Sequence, residues 1–169
     1  MKRLMGLVLL GAMAMAPLLA KGMAFRAGFV KYSAPDDWKV LEDKSEGQRL
    51  TNGDGDLSLF VRCFERDRGL NSRHCLENLA AEKMTDVKYK DEGVQRVNDL
   101  IQYHLSGTGK PKGSDKTVEF SACWVQVEGE DVDLRTVTAN TVFWFQGDSI
   151  LDHRHEGMGK VYESIAQDK

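Results

Sequence analysis

No motif in the 169-residue sequence announces a reaction. It has neither a CxxC redox pair nor a CxxCH haem-attachment site. It also lacks an HExxH zinc helix and a GxSxG elbow for a serine nucleophile. No cofactor is therefore expected. There are no internal repeats. Positive charge is not in excess: 23 Lys and Arg stand against 26 Asp and Glu, a formal net charge of −3. Nucleic acid and anionic membrane both attract protein through basic charge, so neither is an expected partner. No cysteine follows the N-terminal apolar run, and the first is Cys63. That argues against a lipid-anchored lipoprotein.

The N-terminus carries the clearest positive signal. Met1, Lys2 and Arg3 precede an uncharged stretch from Leu4 to Ala20, rich in Leu, Met, Ala and Val. A basic start followed by an apolar run is the pattern of a secretory signal peptide. The run is about 17 residues, the lower limit for crossing a bilayer, so an uncleaved anchor is the alternative. Small residues place the cut after Ala20 or Ala24, within a signal peptide assigned to residues 1–24. A single globular α/β domain, residues 25–169, follows. Cleavage after Ala20 removes Lys2 and Arg3 and takes the formal charge from −3 to −5. The expected location is the periplasm or the exterior, with no stable membrane anchor.

Export bears on the cysteines, Cys63, Cys75 and Cys123. In an oxidising compartment two of three should pair. Cys63 ends an apolar alternation and Cys75 opens a helix, with Arg66, Asp67, Arg68 and Gly69 between them. A Cys63–Cys75 disulfide is expected, worth roughly 3 kcal/mol for so short a loop. A bridge using Cys123 is the alternative; otherwise Cys123, between apolar neighbours, should be enclosed.

Periodicity supplies the elements. Residues 26–33 look extended, Pro35 interrupts, and Trp38, Val40 and Leu41 resume. Leu57, Leu59, Val61 and Cys63 alternate with Ser58, Phe60, Arg62 and Phe64, as in a strand buried on both faces. Asn52 to Asp56 before it reads as a hairpin turn. Asn71 and Ser72 are N-cap types, and Cys75, Leu76, Leu79, Ala80 and Met84 share one face of the helix they open. Ile101, Tyr103 and Leu105 mark another strand, Gly107 to Ser114 a loop, and Val118 to Val127 a long strand. Leu134 to Thr138 is a further short strand or an irregular edge. Thr141–Gln146 and Ser149–His155 read as a hairpin around Gly147–Asp148, with a short helix from Val161 to Ala166. In that hairpin Trp144 and Phe145 fall on opposite sides of the sheet. Both faces then need cover. The expected class is α+β: a mostly antiparallel sheet covered by helices on its faces, an α/β/α sandwich.

Phe29, Tyr32, Pro35 and Trp38 resemble the opening of PsbP-like and DcrB-like domains. The order of elements is also similar over most of the chain. The resemblance implies an α/β/α sandwich and a binding or accessory role. It transfers no site residue.

The densest functional-looking run is Asp152–His153–Arg154–His155–Glu156. On a strand, His153 and His155 share a face, and His104 on another strand is a candidate third zinc ligand. Two ligands do not make a site, however, and the favoured reading of the run is a polar strand end whose alternating charges keep a sheet edge soluble. Asn52, Asp54 and Asp56 imitate the start of a calcium loop, but Leu57 stands where glycine belongs and Cys63 where glutamate belongs. Gly107–Thr108–Gly109–Lys110 lacks phosphate-loop spacing. Lys110, Lys112 and Lys116 read as a solvated turn. His74 and Cys75 are adjacent on a helix, so their side chains diverge by about 100° and form no dyad.

Two functions fit. One is an exported non-enzymatic protein-binding domain, such as a periplasmic immunity protein or an envelope accessory factor. Its partner would be another exported or envelope protein, and a basic one would suit its acidity. The other is a small metal-dependent or thiol enzyme built around His153 and His155.

Overall fold

The computed structural model describes residues 22–44, 47–65, 72–130, 136–151 and 156–168. The stretch read as one extended segment near residue 30 is a hairpin. Strand β1 (Gly22–Ala27) pairs antiparallel with β2 (Val30–Pro35). Gly28 turns the chain at φ +61°, a left-handed conformation that side chains resist. Then β3 (Lys39–Lys44), β4 (Gly47–Thr51) and β5 (Leu57–Glu65) form a meander. Helix α1 (Ser72–Lys83) leads into β6 (Met84–Val97), β7 (Leu100–Pro111), β8 (Val118–Glu130) and β9 (Thr136–Gly147). Helix α2 (Glu156–Ser164) and the two-residue β10 (Ala166–Gln167) end the described chain.

The larger sheet has seven strands in the order β3-β4-β5-β9-β8-β7-β6, every neighbour antiparallel. β1, β2 and β10 form a separate three-stranded sheet. The period-2 alternation sends the larger sheet's side chains to two cores. Leu57, Leu59, Val61, Cys123, Val125, Phe143 and Phe145 face the small sheet and α2, where Tyr32, Trp38, Val161 and Ile165 close over them. Phe120, Ala122, Trp124, Val142 and Trp144 face α1, which contributes Leu76, Leu79 and Ala80. The Phe120 and Trp144 rings stack with centroids 4.7 Å apart. The expected α+β class and two-sided cover are thus realised, with a second sheet sharing one face with α2.

The Asn52–Asp56 segment is a hairpin turn between β4 and β5. The Asn52 side-chain oxygen accepts from the amides of Gly55 (3.0 Å) and Leu57 (3.1 Å), so it serves the turn.

Three sequence expectations are corrected. Gly107 to Pro111 belongs to β7 and is not a loop. A Cβ at Gly107 would lie 2.3 Å from the Lys88 carbonyl oxygen, so glycine there permits close strand contact. Ser149 to Leu151 do not continue as a returning strand: Ser149 takes φ +52° and Ile150 is buried in the core facing α2, while the rest of that expected strand, residues 152–155, lies outside the described residues. The third correction is the Cys63–Cys75 bridge. Cys63 shares its strand face with Leu57, Leu59 and Val61, which turns it toward Gly28 and away from α1. Its sulfur occupies the space a Cβ on Gly28 would need, 2.3 Å away. Cys75, like Phe60 and Phe64, packs against the core on the α1 side. The sheet lies between the two thiols, which are not joined.

Candidate functional site

A groove of about 900 Å³ lies between the β6–β7 hairpin and α2. The hairpin closes through Asn98 and Asp99, both left-handed (φ +49° and +65°). That is the two-residue turn whose twist matches paired strands. The Asn98 amide then donates to the carbonyls of Glu163 (2.8 Å) and Ile165 (2.9 Å), fastening the hairpin tip to the end of α2.

Alternation puts Asp91, Gly93 and Gln95 of β6 on the α2 side, opposite Ser106, His104 and Gln102 of β7. Gly93 makes the opening: a Cβ there would meet nothing within 4 Å. Behind it lies a polar floor. The Gln95 amide nitrogen reaches both His104 Nε2 (2.8 Å) and Gln102 Oε1 (3.1 Å). His104 Nε2 also lies 3.1 Å from Gln102 Oε1, so it accepts from Gln95 when the imidazole proton is on Nδ1 and donates to Gln102 when the proton is on Nε2. Gln102 is fully buried and donates to the Tyr162 carbonyl (3.1 Å). The Cys123 thiol lies 3.8 Å from Gln102 Oε1. The hydroxyls of Ser121 and Tyr162 are 3.0 Å apart, and the Tyr162 ring meets His104 edge-on at 4.9 Å.

Burial governs the titration of this floor. It lowers the His104 pKa to about 4 and pushes the Cys123 thiol and Tyr162 phenol well above their ordinary values. At neutral pH all three are uncharged. An imidazole so weakened is a poor base, and a buried thiol without a thiolate is a poor nucleophile. The floor can therefore offer neutral hydrogen bonds.

The rim carries charge. Lys90 pairs with Glu119 (2.6 Å) and Lys160 with Glu156 (2.7 Å). Glu92 turns to the other face, where it meets Arg73 (2.8 Å) and the Tyr103 hydroxyl (2.9 Å). Asp91 and Glu163 line the groove with no ion pair among the described residues.

Of the proposed zinc ligands, His104 stands in this floor, held by glutamine side chains. His153 and His155 lie outside the described residues. Among the described residues no group of three or more His, Cys, Asp or Glu could hold a metal ion. Cys123 is fully buried, as expected. Sequence reasoning missed Gln95, Gln102, Ser121, Tyr162 and the gap at Gly93. The Asn98–Asp99 pair between Val97 and Leu100 was the one available signal for this hairpin.

No family model matches the sequence. Over 102 residues, 59% of this chain, it is 31% identical to the PPi-type phosphoenolpyruvate carboxykinase of Propionibacterium freudenreichii subsp. freudenreichii. The chain spans about 9% of the length of that protein. Among solved structures, it is similar to LpqN of Mycobacterium tuberculosis, described as involved in cell envelope biogenesis. The TM-score is 0.61 at 11% identity, covering 88% of this chain and 86% of that one. It is also similar to the cyanobacterial PsbP (CyanoP) of Synechocystis, with TM-score 0.60 at 12% identity, covering 88% and 94%. At these identities the likeness is one of fold, and the fold of this chain is PsbP-like.

Proposed function

We propose that this chain is an exported, non-enzymatic binding domain that serves as an accessory factor in the cell envelope. The observation that carries the reading is the groove floor. Its imidazole, thiol and phenol are uncharged at neutral pH and committed to neighbouring groups, which suits recognition better than proton transfer or nucleophilic attack. The similarity in fold to LpqN supports the envelope as the setting. The basic start and apolar run of residues 1–20 support export. Because β1 begins at Gly22, a cut after Ala20 leaves that strand whole, whereas a cut after Ala24 removes half of it.

Three measurements on the full-length chain expressed in a bacterial host test the reading. Mass spectrometry of the envelope fraction should find an N-terminus near Lys21 or Phe25; an intact Met1 in the cytoplasm overturns export. A photo-crosslinker at Gly93 should trap a discrete envelope protein. Turnover of a small molecule that His104→Gln abolishes would replace the binding reading with an enzymatic one.

A further inference from the structure

We propose that the outer edge of β6 from Asp91 to Val97, with the groove beneath it, takes up an extended basic segment of another protein as an added strand. This rests on the binding-domain reading above and gives it a location and a partner chemistry.

β6 is the last strand of the seven-stranded sheet, so one side of its backbone has no strand neighbour among the described residues. Such edges are commonly protected by bulges. Here both irregularities, at Thr85/Lys88 and Tyr89/Asp91, come first. From Asp91 to Val97 the pairing with Ser106 to Leu100 runs unbroken. The two-residue turn makes Val97 and Leu100 a hydrogen-bonded pair. Alternation then turns the amides and carbonyls of Glu92, Val94 and Arg96 outward. The Glu92 amide bears this out: it donates to the Asp91 carboxylate (2.9 Å). Val94 and Arg96 remain as the donors and acceptors that an incoming strand would meet. Backbone pairing of this kind supplies affinity, and alternate side-chain positions supply specificity.

Those side-chain positions differ on the two faces. On the α1 side, Val94 is 67% exposed and offers apolar contact. On the α2 side, Gly93 leaves room for a side chain to descend toward His104 and Gln95. The local charge there is negative, because both groove lysines are matched by carboxylates while Asp91 and Glu163 are not. The segment that fits is extended, with lysine or arginine at alternate positions and apolar residues between them.

The test uses ¹⁵N-labelled protein produced from the full-length chain. It is titrated with a capped peptide alternating lysine and valine, and with its glutamate–valine counterpart. The lysine peptide should shift the amides of Val94 and Arg96, slow their hydrogen exchange, and bind about tenfold more tightly than the glutamate peptide. Val94→Pro removes an outward donor at an edge position where proline is tolerated, so it should abolish binding. If that variant does not give a folded spectrum, Asp91→Asn with Glu163→Gln carries the test by erasing the preference for lysine. No shift with either peptide, equal binding of both, or an unchanged preference in the charge variant overturns the proposal. So do shifts confined to His104 and α2, which would mean a small cation in the groove. If the edge stays silent while a crosslinked envelope partner is found elsewhere, the edge assignment falls and the binding reading stands.

Discussion

His104 should make the domain lose stability as the pH falls, with a slope that can be assigned to this one residue. Burial lowers its pKa from the ordinary 6.5 to about 4. Above pH 6.5 the imidazole is neutral both folded and unfolded and adds no pH dependence. Below 6.5 the unfolded chain takes up a proton that the folded domain refuses until about pH 4. Protonation therefore draws the equilibrium toward unfolding across that window. Each pH unit inside it is worth at most about 1.4 kcal/mol, so the full loss is roughly 2–3 kcal/mol once water at the groove mouth is allowed for. Against a usual domain stability of about 5–15 kcal/mol, that is a large share. The assay is urea unfolding, followed by tryptophan fluorescence, at steps from neutral pH to about pH 4.5. Wild type is compared with His104→Gln, which keeps an acceptor for the Gln95 amide. Carboxylates elsewhere affect both proteins alike and cancel in the difference. The wild-type curve should fall toward that of the variant, or below it, as pH drops. Parallel curves would refute the reasoning, as would an NMR titration midpoint for His104 near 6.5.

Three further outcomes follow from packing. Gly28→Ala meets both a left-handed backbone and the Cys63 sulfur, so it should destabilise by roughly 2 kcal/mol or more in denaturant titrations. Adding Cys63→Ala should recover only the part due to the clash. Leu76→Ala opens a cavity between α1 and the sheet and should cost about 2–5 kcal/mol, read as a lower urea midpoint at unchanged slope. Non-reducing peptide mapping of the folded protein should find no Cys63–Cys75 linkage. Cys123 should resist thiol reagents until the domain is unfolded.

The strands that face a core on both sides were legible in the sequence, because burial writes its period into them. β5 and β8 are plain examples, and the opposed Trp144 and Phe145 correctly implied cover on both faces. β6 was not legible: as an edge strand exposed along most of its length, it has no apolar alternation to read. The error after Gly147 has a similar origin. Ser149 to His155 looks like a returning strand, yet in the part the structure describes, Ser149 to Leu151, the backbone leaves the strand conformation and Ile150 is drawn into the core. For Cys63 the strand was right and its facing was wrong, since alternation along β5 cannot say which face meets α1. The groove was hidden for a related reason. Its floor is made of residues adjacent only across β6, β7, β8 and α2, and its opening is a glycine whose role is to leave space.

The Asn98 clasp ties the two walls of the groove together at one end. With the hairpin tip tied to the last carbonyls of α2, a segment lying along β6 within the groove would meet that tie beyond Val97. At about 3.3 Å per residue the lane from Lys90 to Val97 is roughly 25 Å long. On the proposed reading, a bound strand of about seven or eight residues would fill it. A partner would have to present a chain end or a tight bend at the clasp, so the domain would discriminate by where a basic stretch terminates as well as by its charge.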